Sequence, residues 1–81
     1  MTFAEQRAAL DDQLQRLESL LRQAQTASKT LEEQAEGLSG QTDSLAEDMA
    51  LARIAGATRK ARQDLASLAR AVSSAREGLG G

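Results

Sequence analysis

The sequence predicts an all-α protein: two long helices that form an antiparallel hairpin with coiled-coil-type packing. Ala, Leu, Arg, Glu and Lys account for 45 of the 81 residues, a composition typical of coiled coils and long helices. Apolar residues recur at alternating steps of three and four, and proline, which breaks helices, is absent. The length leaves room for one domain, placed at 1–81.

The first helix is predicted over about residues 3–36. Thr2 and Glu5 have the spacing of a capping box, in which each side chain accepts a hydrogen bond from the other residue's backbone N–H. An apolar stripe with heptad spacing then follows one side of the helix. Its members are Phe3, Leu10, Leu14, Leu17, Leu21, Ala24, Leu31, Ala35 and Leu38, with Arg7 and Ser28 as polar positions.

A turn is predicted over 37–43. Gly37 and Gly40 lie three residues apart, and the segment Gln-Thr-Asp-Ser follows them. This composition is typical of a helix end followed by a new start. Ser44 and Glu47 repeat the capping-box spacing.

The second helix is predicted over about residues 44–78. Its stripe keeps the same spacing but is out of phase with the first near residues 49–54, which favours two helices. The members are Leu51, Ile54, Ala61, Leu65, Leu68, Val72, Ala75 and Leu79, with Thr58 as the polar position. The glycine-rich end is interpreted as a fraying helix terminus.

Charge also favours a hairpin. Residues 1–50 carry four basic and ten acidic side chains, whereas residues 51–81 carry six basic and two acidic ones. Folding about residue 40 predicts ion pairs that set the orientation of the helices. They join Glu5 to Arg76, Asp11 and Asp12 to Arg70, and Glu18 to Arg62. The alternative is one long coiled-coil helix, because the first stripe continues in phase through Leu45, Met49 and Ala52.

The composition argues against an enzyme. The chain has no histidine and no cysteine, which excludes the commonest general base, thiolate chemistry and disulfides. Two helices enclose no pocket in which a carboxylate or hydroxyl is activated. We therefore predict no catalytic residue, no metal site and no cofactor.

Two charged regions have structural interpretations: the acidic region around the turn is interpreted as solvated helix surface, and the basic second half as charges that complement the acidic first helix. Six acidic residues surround the turn without a basic residue among them: Glu32, Glu33, Glu36, Asp43, Glu47 and Asp48. The basic residues of the second half spread around the helix, and Phe3 is the only aromatic residue, so bases have nothing to stack on. We expect no nucleic-acid partner.

The chain has no apolar run of about 20 residues, the length of a membrane span. Its first residues also lack the basic and apolar regions of a signal peptide. We expect a cytoplasmic protein. Export without a cleavable signal peptide is the alternative.

The segment Leu38-Ser39-Gly40 resembles the Trp-x-Gly turn of the WXG100 proteins, which are helical hairpins exported by type VII secretion. Leucine replaces the tryptophan here, and the C-terminal Tyr-x-x-x-Asp/Glu signal of that family is absent. The resemblance implies an exported binding module with a one-to-one partner. The segment 31–38 is similar to the central segment of a Q-type SNARE helix, with Gln34 as the polar layer.

We predict a non-enzymatic structural or adaptor protein. It binds helices of a second copy or of a larger assembly and completes a helical bundle, because two helices leave apolar surface uncovered. The alternatives are a WXG100-type secreted module and a SNARE-like or fold-on-binding helix. The predicted interface consists of Leu10, Leu14, Leu17, Leu21, Leu31, Leu51, Ile54, Leu65, Leu68 and Val72.

Overall fold

A computed structural model describes residues 2–80. Helix α1 spans Phe3–Ser39 and helix α2 spans Leu45–Gly80. The two helices pack side by side in opposite directions and form a rod of 63 × 16 × 14 Å. The predicted helical hairpin is thereby confirmed, and the alternative of one continuous helix is wrong. Met1 and Gly81, included in the predicted domain, lie outside the described residues.

The start of α1 is capped by Thr2. The backbone N–H of Glu5 donates to Thr2 Oγ1 at 3.2 Å. Thr2 has an extended backbone (φ −77°, ψ 162°), as an N-cap residue requires. The hydrogen bonds found among residues 2–80 include only this half of the predicted capping box, because the Glu5 carboxylate does not return to Thr2.

The turn lies later in the chain than the sequence predicts. Helix α1 continues through Gly37 to Ser39, so the prediction of Gly37 as a turn residue is wrong. Gly40 follows as the C-cap with φ −71° and donates its N–H to the Glu36 carbonyl at 3.3 Å. A helical glycine costs about 1 kcal/mol relative to alanine. Ala35, buried against α2, and the Ser39 hydroxyl, which donates to Asp48, offset that cost.

Helix α2 starts at Leu45 with Ser44 as its cap. The N–H of Glu47 donates to Ser44 Oγ at 3.3 Å, which is the first half of the predicted capping box. The second half differs. The Glu47 carboxylate accepts a hydrogen bond from the Thr42 hydroxyl at 2.8 Å, and Thr42 Oγ1 accepts the N–H of Ser44 at 3.2 Å. Thr42 therefore links the turn to the first turn of α2.

The two helices meet along a central line of seam residues, which are buried or half-buried. Leu21, Ala35 and Val72 are the most enclosed of them. In sequence order the seam consists of Leu14, Leu21, Ser28 and Ala35 on α1, and of Leu51, Thr58, Leu65, Val72 and Leu79 on α2. Seven-residue steps keep these side chains facing the partner helix, as in a coiled coil.

The later turn changes which residues face each other. Ser39 donates to Asp48, and Asp11 accepts from Arg76 at 3.1 Å; the two residue numbers sum to 87 in both pairs. Folding about residue 40 predicts a sum near 80. The predicted pairs of Glu5 with Arg76, of Asp11 and Asp12 with Arg70, and of Glu18 with Arg62 are therefore wrong.

Candidate functional site

The hairpin has two different faces, one on each side of the seam. The first, which we call the charged edge, holds most of the polar contacts between α1 and α2. Every residue on it is at least half-buried. It consists of Asp11, Glu18, Gln25, Glu32 and Ser39 on α1, and of Asp48, Ala55, Arg62, Ala69 and Arg76 on α2.

Glu32 is the centre of the charged edge. The residue is 8% exposed, which makes it the one buried charged residue of the described chain. Arg62 Nη1 lies 2.6 Å from Glu32 Oε2, an ion pair without hydrogen-bond alignment, and Arg59 Nε donates to Oε1 at 3.1 Å. Arg59 also donates to Glu36 at 3.0 Å. Two guanidinium groups of α2 thus neutralise part of the acidic cluster near the turn.

Arg76 joins the helices at the opposite end of the charged edge. It donates to Asp11 at 3.1 Å and to Glu18 at 2.7 Å, two carboxylates two turns apart on α1. The hydrogen bond with Asp11, and then the one with Glu18, raise the pKa of the Arg76 guanidinium. Since arginine is charged throughout the physiological range in any case, the contact is a fixed link between helices and not a pH switch.

The second face, which we call the open face, is apolar and uncovered. Phe3 is 77% exposed, Leu38 54% and Leu68 47%, although all three belong to the predicted apolar stripes. The open face consists of Phe3, Leu10, Leu17, Ala24, Leu31 and Leu38 on α1, and of Ile54, Ala61, Leu68 and Ala75 on α2. Leu17 and Ala24 are half-buried, and the others are exposed.

Both apolar ridges lie on the same side of the hairpin. Each follows its seam residues by three positions, which is 60° short of a full helical turn. Both ridges are displaced from the seam by the same angle about their own helix axis. Because the two axes point in opposite directions, this displacement places both ridges on the same side of the hairpin. The ion pairs of Arg62 and Arg76 lie on the other side, as this geometry requires.

The half of the open face on α1 carries no charge. Its ridge and the column beside it contain only Phe, Leu, Ala and Gln; that column consists of Gln6, Gln13, Leu20, Ala27 and Gln34. The α2 half is narrower. Beside the α2 ridge lie Ala50, Ala57, Asp64, Ala71 and Gly78, and the one charge among these, Asp64, pairs with Lys60 at 3.0 Å. A contiguous apolar strip of this kind is typical of a protein-interaction surface.

The predicted interface residues divide between the seam and the open face. Leu14, Leu21, Leu51, Leu65 and Val72 lie in the seam and hold the hairpin together. Leu10, Leu17, Leu31, Ile54 and Leu68 lie on the open face. The sequence predicted ion pairs between the helices for Arg62 and Arg76, but with the wrong partners, and Arg59 was missed. Their heptad positions, each beside the seam, were the available signal.

An open groove of about 600 Å³ lies at the turn end of the open face. Leu38, Leu51 and Ala50 form its apolar part, and Gln41, Thr42 and Glu47 form its rim. Within residues 2–80, no three acidic side chains converge as metal ligands. No helix in that range has the length and apolarity needed to cross a membrane.

The fold and its two faces define a class of structure, an antiparallel helical hairpin with one closed charged edge and one open apolar face. Comparison with protein-family models, with curated proteins and with solved structures gave no match.

Proposed function

We propose that this protein is a non-enzymatic structural or adaptor protein that acts by binding other helices on its open face. The supporting observation is the distribution of leucines. Leu10, Leu31, Leu38 and Leu68 are each between 47% and 54% exposed, although they repeat at heptad spacing in two neighbouring ridges. Fully burying an exposed leucine contributes roughly 1.5–3 kcal/mol. Covering these half-exposed side chains therefore contributes about half of that each, which an uncovered hairpin forgoes.

The charged edge supports the same proposal by contrast. Its charged groups already have partners within the hairpin: Glu32 pairs with Arg62, Arg76 pairs with Asp11 and Glu18, and Asp48 accepts from Ser39. It therefore offers little for a further protein to satisfy. The open face has apolar side chains and few polar groups, which is the composition of the buried centre of an interface.

Site-specific photo-crosslinking in the cells that make the protein tests this function. A photoreactive residue at position 68 lies on the open face, and one at position 73 replaces an exposed serine near the charged edge. We expect crosslinked protein from position 68 and little from position 73. Equal yields from the two positions, or no product from position 68, would show that the open face does not bind protein.

One observation favours a second candidate, an exported module of the WXG100 type. Leu38 and Ser39 are the last residues of α1 and Gly40 is its C-cap, so this segment lies where α1 enters the turn. This candidate also uses the open face, but it requires a one-to-one partner of different sequence and the presence of the protein outside the cell. Immunodetection in the culture medium of intact cells separates it from the first.

A further inference from the structure

We propose that the open face binds a second copy of this chain in the reverse orientation, so that the turn of one hairpin lies over the open end of the other. This inference rests on the proposed function and identifies the partner. The product is a four-helix bundle in which α1 lies on α1 and α2 lies on α2, in each case antiparallel. Such a dimer is isologous, which means that the same surface must match itself when reversed.

The ridge on α1 meets that condition. In the reversed arrangement, Phe3 of one copy lies over Leu38 of the other, Leu10 lies over Leu31, and Leu17 lies over Ala24. The central contact pairs a large side chain with a small one, which lets the helices interdigitate. Phe3 also reaches the apolar groove at the turn, where Leu38 is a lining residue. In this arrangement Phe3, which is 77% exposed at the end of the hairpin far from its own groove, is covered by the groove of the second copy.

The ridge on α2 fits in the same register without adjustment. On the open face, Leu17 lies level with Leu68, and Ala24 lies level with Ala61. The residue numbers of each pair sum to 85, close to the sum of 87 found for facing residues on the charged edge. Reversal about the same axis places Leu68 over Ala61 and Ile54 over Ala75 of the second copy. Both α2 contacts again combine a large and a small side chain. One symmetry axis therefore satisfies both ridges.

Charge selects the reversed arrangement over the one with both turns at the same end. The turn end carries six carboxylates, from Glu32 to Asp48. Arg59 and Arg62 pair with two of them, Glu32 and Glu36, so stacking two turns would bring together the other four of each copy. Reversal instead places each turn over an end of mixed charge that includes Arg7, Arg70 and Arg76. Like charges brought together across an interface are unfavourable, so the reversed dimer is preferred.

The area is sufficient for a stable dimer. The hairpin is 63 Å long and 16 Å wide, so a covered face corresponds to about 1,000 Å² per copy. Specific protein interfaces bury about 800 Å² per partner. Reversal about the proposed axis covers the face over nearly its full length.

Sedimentation equilibrium of the purified full chain is the first test. We expect a mass of twice 8.6 kDa over concentrations from about 1 to 100 μM. Leu31→Lys places a charge on the open face and should weaken the dimer at least about tenfold while helix content stays unchanged. Leu45→Lys is the matched control, because Leu45 is 74% exposed outside that face. A monomer throughout this range, or equal effects of the two variants, overturns the proposal.

Disulfide crosslinking tests the orientation, since the natural chain has no cysteine. Residues 3 and 38 are about 50 Å apart on one helix, whereas a disulfide needs Cα atoms within about 7 Å. A chain with Phe3→Cys and Leu38→Cys should therefore form a covalent dimer on mild oxidation, and neither single variant should. Dimers from the single variants, or none from the double variant, overturn the reversed arrangement.

Two experimental outcomes separate the second copy as partner from the proposed function. A purified monomer whose position 68 crosslinks to a different protein in cells overturns the second copy as partner and leaves the function standing. A chain with no crosslinked product from position 68 contradicts both.

Discussion

The carboxylate of Glu32 on α1 lies 2.6 Å from the guanidinium of Arg62 on α2, and it is shielded from solvent by the packed helices. A buried ion pair of this kind contributes little net stability compared with apolar residues of similar size, but removing one partner leaves an uncompensated charge. The pair therefore acts mainly on the register between the helices.

We expect Arg62→Leu to lower the free energy of unfolding by about 1–3 kcal/mol, because Glu32 stays buried with only Arg59 to neutralise it. Removing both charges with Glu32→Leu and Arg62→Leu should restore the parent stability to within about 1 kcal/mol. Urea unfolding followed by circular dichroism measures both. If the double variant is as unstable as the single one, the loss comes from packing and not from the charge.

The sequence allowed the fold class and both apolar stripes to be predicted, because heptad spacing depends only on the helical repeat. The division of each stripe did not follow from it. Leu14 and Leu17 have equal hydrophobicity and both fit the stripe, yet the first lies in the seam and the second on the open face. Whether the residues of the Leu14 series or of the Leu17 series face the partner helix depends on the contacts of Glu32 and Arg76 across the charged edge. Predicting these contacts requires knowing which residues of the two helices lie opposite each other.

The register was missed because Gly37 stays helical. Glycine is the commonest residue after a helix end, so the sequence favoured a turn there. Gly37 lies within α1 and its φ angle is not positive, so its backbone conformation does not require glycine. The turn is closed instead by the hydrogen bond from Ser39 to Asp48. These two residues lie close together only once the turn has formed, so the sequence alone did not indicate their contact.

Replacing Gly37 with alanine tests this boundary. A Cβ atom at this position meets nothing within 4 Å, so Gly37→Ala should raise the free energy of unfolding by about 0.5–1 kcal/mol through higher helix propensity. Gly56→Ala, in the middle of α2 with equally free space, provides a matched control with the same expected gain. Thermal unfolding measures both. A loss of stability in Gly37→Ala alone would place the end of α1 before residue 37.

Leu21→Ala tests the seam. Leu21 is 5% exposed, and its truncation should destabilise the hairpin by about 2–4 kcal/mol through lost burial and a residual cavity. Leu45→Ala removes the same atoms from a side chain that is 74% exposed and should change stability by less than about 0.5 kcal/mol. Comparable losses in the two variants, measured by urea unfolding, would contradict the assignment of the seam.

Leu68→Ala tests whether the open face is covered, because its cost should depend on protein concentration. Leu68 is 47% exposed in the single hairpin, so truncation at concentrations below dimer formation should cost less than about 1 kcal/mol. Once a second copy covers the face, the same side chain is buried and its truncation should cost about 2–3 kcal/mol. Leu21→Ala is the internal reference, since a seam residue is buried at every concentration and its cost should stay constant. Thermal unfolding at several concentrations gives both series. A cost for Leu68→Ala that does not change with concentration would mean that no second copy binds the open face.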